Sequence, residues 1–206
     1  NELYSEINWF YPTSGSQVID RVVTYNFDEG VWTTGTLDRS TWIGSTVYEK
    51  PYATDYNASD TPTFPVVSGV GNGATIYYAH EVGINQANAD GTETAITSFI
   101  KSGEFDLNGN QGGPGDGEFI LSMSRFLPDF KRISGNAKVT IFLNSFPQGS
   151  VASSSPLGPF TVNSTTTKIN TRARARLAAV QIENESLDES WRYGSFRFDI
   201  RPDGRR

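Results

Sequence analysis

From Lys168 to Arg176 the chain alternates. Lys168, Asn170, Arg172, Arg174 and Arg176 fall on one side of an extended backbone, and Ile169, Thr171, Ala173 and Ala175 on the other. A period of two predicts a β-strand with one wet face. Beyond Leu177 the phase changes: Ala178, Val180 and Ile182 become the apolar set, as though a residue had been inserted or both faces had become buried. After the acidic turn from Glu183 to Ser190 the same happens again. Trp191 and Tyr193 are apolar at odd positions, Phe196, Phe198 and Ile200 at even ones, and Gly194 stands at the break. A one-residue slip exchanges the faces of a strand. The two phase changes therefore predict a bulged, strongly twisted hairpin over Thr165–Arg206, central to a C-terminal β domain.

The rest of the chain reads as short strands between turns. Glu6–Pro12, Asp20–Phe27, Val31–Thr34 and Thr41–Ile43 form a hairpin followed by two Trp-bearing strands, the sequence appearance of a β-propeller blade. Tyr48–Phe64 reads as a polar connection. Ala74–Val82 and Thr94–Phe105 are further strands, and Asp106–Glu118 is a Gly-rich loop or hairpin tip. Beyond it come Phe119–Met123, closed by Phe126–Phe130; Lys138–Phe146, apolar on both faces and so expected to be central; and Phe160–Asn163. These elements predict an all-β chain. Residues 1–97 would hold up to two propeller-blade-like hairpin units belonging to a larger propeller, and residues 98–206 a β-sandwich-like domain.

Composition agrees with this pattern. Among 206 residues there are 20 Gly, 10 Pro and 13% aromatics, and no stretch keeps a helical period or is apolar enough to span a bilayer. Cysteine is absent, which excludes disulfides and thiolate metal sites. The first residue is Asn, as expected of a processed product or of the C-terminal piece of a longer chain. The net charge of −6 is split. Residues 1–120 carry 4 Lys+Arg against 16 Asp+Glu, or −12; residues 121–206 carry 13 against 7, or +6. Such a split predicts surfaces that face different partners, or subunits stacked so that unlike halves meet.

Candidate chemistry is thin. His80 is the sole histidine; His80-Glu81 begins a zincin-like motif that no second histidine completes, and a packed or interface role is expected of it. Glu104 and Asp106 share a strand face as a glycosidase pair could, but charged residues on a solvated strand explain them more cheaply. Asp106, Asn108 and Asn110 match the first ligand positions of a calcium loop, which Gln111 and Gly117 then break. The sequons at Asn57, Asn163 and Asn184 carry little weight, since chance suffices in a chain rich in Ser and Thr and no secretory signal accompanies them. No catalytic group, metal or cofactor is expected. The concentrated cationic feature is Arg172, Arg174 and Arg176, joined as interaction candidates by Arg197 and Arg201. Alternate side chains on a strand lie about 6.6–6.8 Å apart, near the phosphate spacing of one nucleic-acid strand. No aromatics interleave the row, so a cross-strand ladder with Asp199 or Glu183, or a rim contact to a neighbouring subunit, is the favoured role.

The run INWFYPTSGSQVIDRVVTYNFDEGVWTTGTLDRSTW, then YYAHEVGIN, SGEFDL, FLPDFK, GPFTV and TTKINTRARARLAAVQIEN, and finally SWRYGSFRFDIRPDGRR, resemble the C-terminal part of tail proteins of short-tailed bacteriophages. These are the tail nozzle (tail tubular protein B-like) and packaged-DNA-stabilisation families. RARAR and RPDGRR are the most specific elements. The resemblance implies a non-enzymatic structural subunit in the virion tail, built as a β-propeller with added β domains. Six copies would form a ring below the portal and adaptor, next to tail fibre proteins. Packaged double-stranded DNA would be held by that ring and pass through it at ejection, touching it only transiently and non-specifically. The chain is shorter than a full nozzle, so these residues would not close a propeller by themselves. The competing expectation is a carbohydrate-binding or receptor-binding β protein of a phage tail, with Trp9, Trp32 and Trp42 as stacking residues.

Overall fold

A computed structural model describes residues 4–45, 47–57, 74–87, 91–107, 119–146 and 156–205. All regular structure among them is β. The chain divides into two compact units, Asn1–Gly83 with Ala89–Gly91, and Ile84–Asn88 with Thr92–Arg206. Residues 84–97, grouped by sequence with the first half, fall mostly in the second unit, because Asn85 exchanges hydrogen bonds with Asp188 there. The Asn85 amide donates to the Asp188 carboxylate, and the Asp188 backbone N–H donates back.

The first unit is two antiparallel meanders. β1 (Glu6–Tyr11), β2 (Arg21–Asn26) and β3 (Val31–Thr36) form one sheet in that order. β4 (Thr41–Ile43), β5 (Tyr52–Asn57) and β6 (Ala74–Ala79) form the other. β5 lies inside the segment read as a polar connection: Tyr-Ala-Thr-Asp-Tyr-Asn has too few apolar residues to announce a strand, and backbone pairing on both sides supplies what its side chains do not. Phe10 packs on Trp42, with ring centroids 5.4 Å apart, and joins the two meanders. Among the described residues of this unit only Pro51 and Ala53 are fully buried.

The second unit holds the core. One sheet has the order β13-β10-β15, from Ile169–Ala175, Phe119–Ser134 and Ser190–Arg205. The other has the order β12-β11-β14-β9, from Leu157–Val162, Ala137–Asn144, Leu177–Asn184 and Ser98–Lys101. β7 (Asn85–Ala87) and β8 (Glu93–Ala95) make a small ribbon. Leu121, Met123, Phe126, Ile169 and Ala173 from the first sheet, and Val139, Ile141, Val162, Val180 and Ile182 from the second, form one buried cluster. β11 lies inside its sheet, as its two apolar faces require.

The phase changes are real, but one has a different cause from the predicted hairpin. β13 is buried at Ile169, Thr171, Ala173 and Ala175 and wet at the positions between. At Arg176 the chain leaves that sheet, and β14 enters the other with Ala178, Val180 and Ile182 inward. β14 and β15 do not pair: β14 lies between β11 and β9, and β15 lies against β10. The terminal hairpin is therefore replaced by strands that alternate between sheets. A switch of sheet and a bulge produce the same slip in sequence. At Gly194 the slip is a bulge, since Asp129 faces Ser195 and Phe130 faces Tyr193, leaving Gly194 unpaired.

Candidate functional site

The wet face of the β13-β10-β15 sheet gathers the predicted arginines. Alternation brings Arg172 and Arg174 outward from β13, and Arg197 and Arg201 outward from β15. Between them runs β10, whose Ser122 sits directly opposite Arg174 on one side and Arg201 on the other. Ser122 and Ser124 make a low floor between two rows of long cations. The result is a shallow groove of about 510 Å³ lined by Arg172, Arg174, Arg201, Asn170 and the two serines. Arg176 is not part of this row. It stands at the corner between the sheets, where its N–H donates to the Asn144 carbonyl and its guanidinium lies 5.9 Å from the Phe146 ring centre.

Three arginines on the face are matched to aspartates. Arg174 pairs with Asp203 at 2.6 Å, Arg125 with Asp199 at 3.5 Å and Arg197 with Asp129 at 3.3 Å. The expected cross-strand ladder exists, but its partners differ: Asp199 is matched to Arg125 on the neighbouring strand, and Arg174 takes Asp203. Each of these exposed pairs contributes about 0–1 kcal/mol. Arg172 and Arg201 make no ion pair or side-chain hydrogen bond with any described residue. Both line the groove.

The other singled-out residues have local partners. His80 lies just past β6, its ring 4.6 Å from that of Trp42, and its Nε2 accepts a hydrogen bond from Arg39 Nε at 3.0 Å. Arg39 in turn lies over the Tyr78 ring, 3.7 Å from its centre. Burial, with the Arg39 charge beside it, pushes the His80 pKa below the usual histidine value. Glu104 accepts from the buried Asn144 amide, which ties it to the end of β11. Of the calcium-like loop, Asn108 and Asn110 lie outside the described residues. Among the described residues no group of three or more His, Asp or Glu side chains is placed to hold a metal.

Trp9, Trp32 and Tyr25 form an aromatic ladder on the outer face of the first meander. Trp32 stacks on Trp9 at 5.6 Å and on Tyr25 at 4.6 Å. Its π surface is thus engaged by protein rings, although 61% of the residue remains exposed. Trp42 is taken up by Phe10 and His80.

Sequence reading gave Asn184 no structural role. It is 4% exposed and uses all four of its hydrogen-bonding positions. Its amide donates to the carbonyls of Ile96 and Glu189, and its carbonyl accepts from Ser98 Oγ and Trp191 Nε1. A glycan has no room there. The signal was a polar residue at an even position in phase with Ala178, Val180 and Ile182.

Compared with protein-family models the chain matches none, and no curated protein matches its sequence. What the fold and site define is a class: an all-β protein of two units, one with a charge-bearing sheet face over a buried core, the other with little core among its described residues.

Proposed function

We propose that the chain is a structural wall subunit of a bacteriophage tail nozzle or head-to-tail conduit, acting as one copy in a ring that retains packaged DNA and lets it pass at ejection. In this reading the two meanders of the first unit are blade-like pieces of a propeller, and the two sheets around the shared core of the second unit are a β-sandwich. The observation that carries the reading is the state of the first unit. Its strands are well paired, yet among its described residues only Pro51 and Ala53 are buried, and the stacked Trp9 and Trp32 are exposed at 46% and 61%. A contiguous apolar ridge on a sheet face is a surface meant to be covered. Ring assembly covers it, and the sequence likeness to nozzle proteins names the ring.

Solubility alone does not call for an acidic first part of −12 beside a basic second part of +6. In a conduit, an acidic lumen wall repels phosphates and keeps DNA from sticking, while basic surfaces meet acidic neighbours. Light scattering on the purified chain, with negative-stain imaging, tests the reading. A closed six-fold ring is the expected result, and a chain that stays monomeric at every concentration overturns it.

A further inference from the structure

We propose that the groove between Arg172 and Arg201 is the docking site for a second copy of this chain, and that it receives the acidic tip of the neighbour's β2–β3 hairpin. The proposal deepens the ring reading and rests on it for the presence of a neighbouring copy. The groove side is defined by what remains unmatched. Arg125, Arg174 and Arg197 each have an aspartate; Arg132 and Arg192, facing each other farther along the sheet, have none among the described residues, but of the unmatched arginines only Arg172 and Arg201 line the groove and flank its floor of serines. Two guanidiniums over small hydroxyl side chains leave room for carboxylates to descend and take paired N–H···O bonds.

The matching knob lies in the first unit. Phe27, Asp28, Glu29 and Gly30 turn between β2 and β3, and all four are exposed. Both backbone N–H groups, of Asp28 and Glu29, donate to the Asn26 side-chain carbonyl, so the turn is held from within and its two carboxylates point away from that bond. Neither carboxylate has an ion pair among the described residues. Two adjacent free anions on a compact tip complement two free cations beside a narrow floor. A contact between one surface of a copy and a different surface of the next is heterologous, which generates rings when the rotation closes. The polarity of the chain's charge, acidic before residue 120 and basic after it, is the long-range counterpart of the same match.

Charge exchange on the full chain tests this. Arg172→Glu with Arg201→Glu should weaken self-association roughly tenfold or more at low salt, as loss of close charge pairs at an interface does. Asp28→Lys with Glu29→Lys should weaken it comparably, and the chain carrying all four substitutions should recover most of the association. All positions are exposed, and unchanged circular-dichroism melts establish that the variants fold. A ring indifferent to both exchanges, or a four-fold variant no better than either parent, overturns the docking site while leaving the ring intact. A chain that is monomeric throughout overturns both. If the arginine variant instead loses binding to a short DNA duplex while association is untouched, the groove takes nucleic acid and the proposal fails.

Discussion

Asn184 shows how much one polar side chain can fix. Its four hydrogen bonds fasten the Ser98 end of β9, the end of β14 and Trp191 at the start of β15 around one buried amide. Asn184→Leu would leave buried donors and acceptors unpaired. It should cost about 3 kcal/mol of unfolding free energy, read from the denaturant midpoint. His80 makes a different kind of demand. Because its Nε2 accepts from Arg39, only the neutral ring fits, and burial and the Arg39 charge lower its pKa, with Glu81 opposing. The unfolded chain then binds the proton more readily, so the stabilisation is full above the ordinary value near 6.5 and is lost as pH falls through the folded value. A nuclear magnetic resonance titration of this single histidine should show a depressed midpoint, and Arg39→Ala should move it upward. An Arg39→Ala midpoint that does not move sinks the assignment.

At the scale of elements, Gly194 decides the register of the longest pairing. A Cβ at this position would run into the Asp129 carbonyl oxygen, so the bulge tolerates only glycine without movement of the backbone. Gly194→Ala should destabilise the second unit by about 2 kcal/mol, measured by urea unfolding followed through tryptophan fluorescence. Gly135 serves the turn from β10 to β11, at φ +66 and with Glu189 and the Asp188 carbonyl close to where a Cβ would stand. These two glycines let the sixteen-residue strands β10 and β15 bend and then hand the chain to the other sheet. The bulge at Gly194 was legible from the odd-to-even change in apolar positions. The handover at Arg176 gave the same signal and so could not be distinguished from a bulge.

At the scale of the molecule, stability is concentrated in the second unit. Phe126 is fully buried and touches Phe196 and Phe198 at 4.8 and 5.5 Å. Phe126→Ala should cost about 3–5 kcal/mol by deleting apolar contacts and leaving a cavity. Trp32→Ser, on the exposed ladder, should change the unfolding of the isolated chain by about 1 kcal/mol, the worth of its ring stacking. The same substitution should cost far more in assembly if the ridge is covered in a ring, so light scattering and melting curves separate the two contributions.

The sequence by itself determined the all-β class, the wet and dry faces of β13, the bulge at Gly194 and the gathering of arginines in the last forty residues. Alternation along a strand is a local property: it records which side of each backbone stretch meets water, and that survives without knowledge of the partners. Tertiary structure alone decided which strands pair, that β14 and β15 belong to different sheets, that Arg174 takes Asp203 while Arg172 and Arg201 are left unmatched, and that Asn184 sits at a junction. Those outcomes depend on contacts between residues far apart in the chain, where many partners satisfy the same period and only the packed core chooses among them.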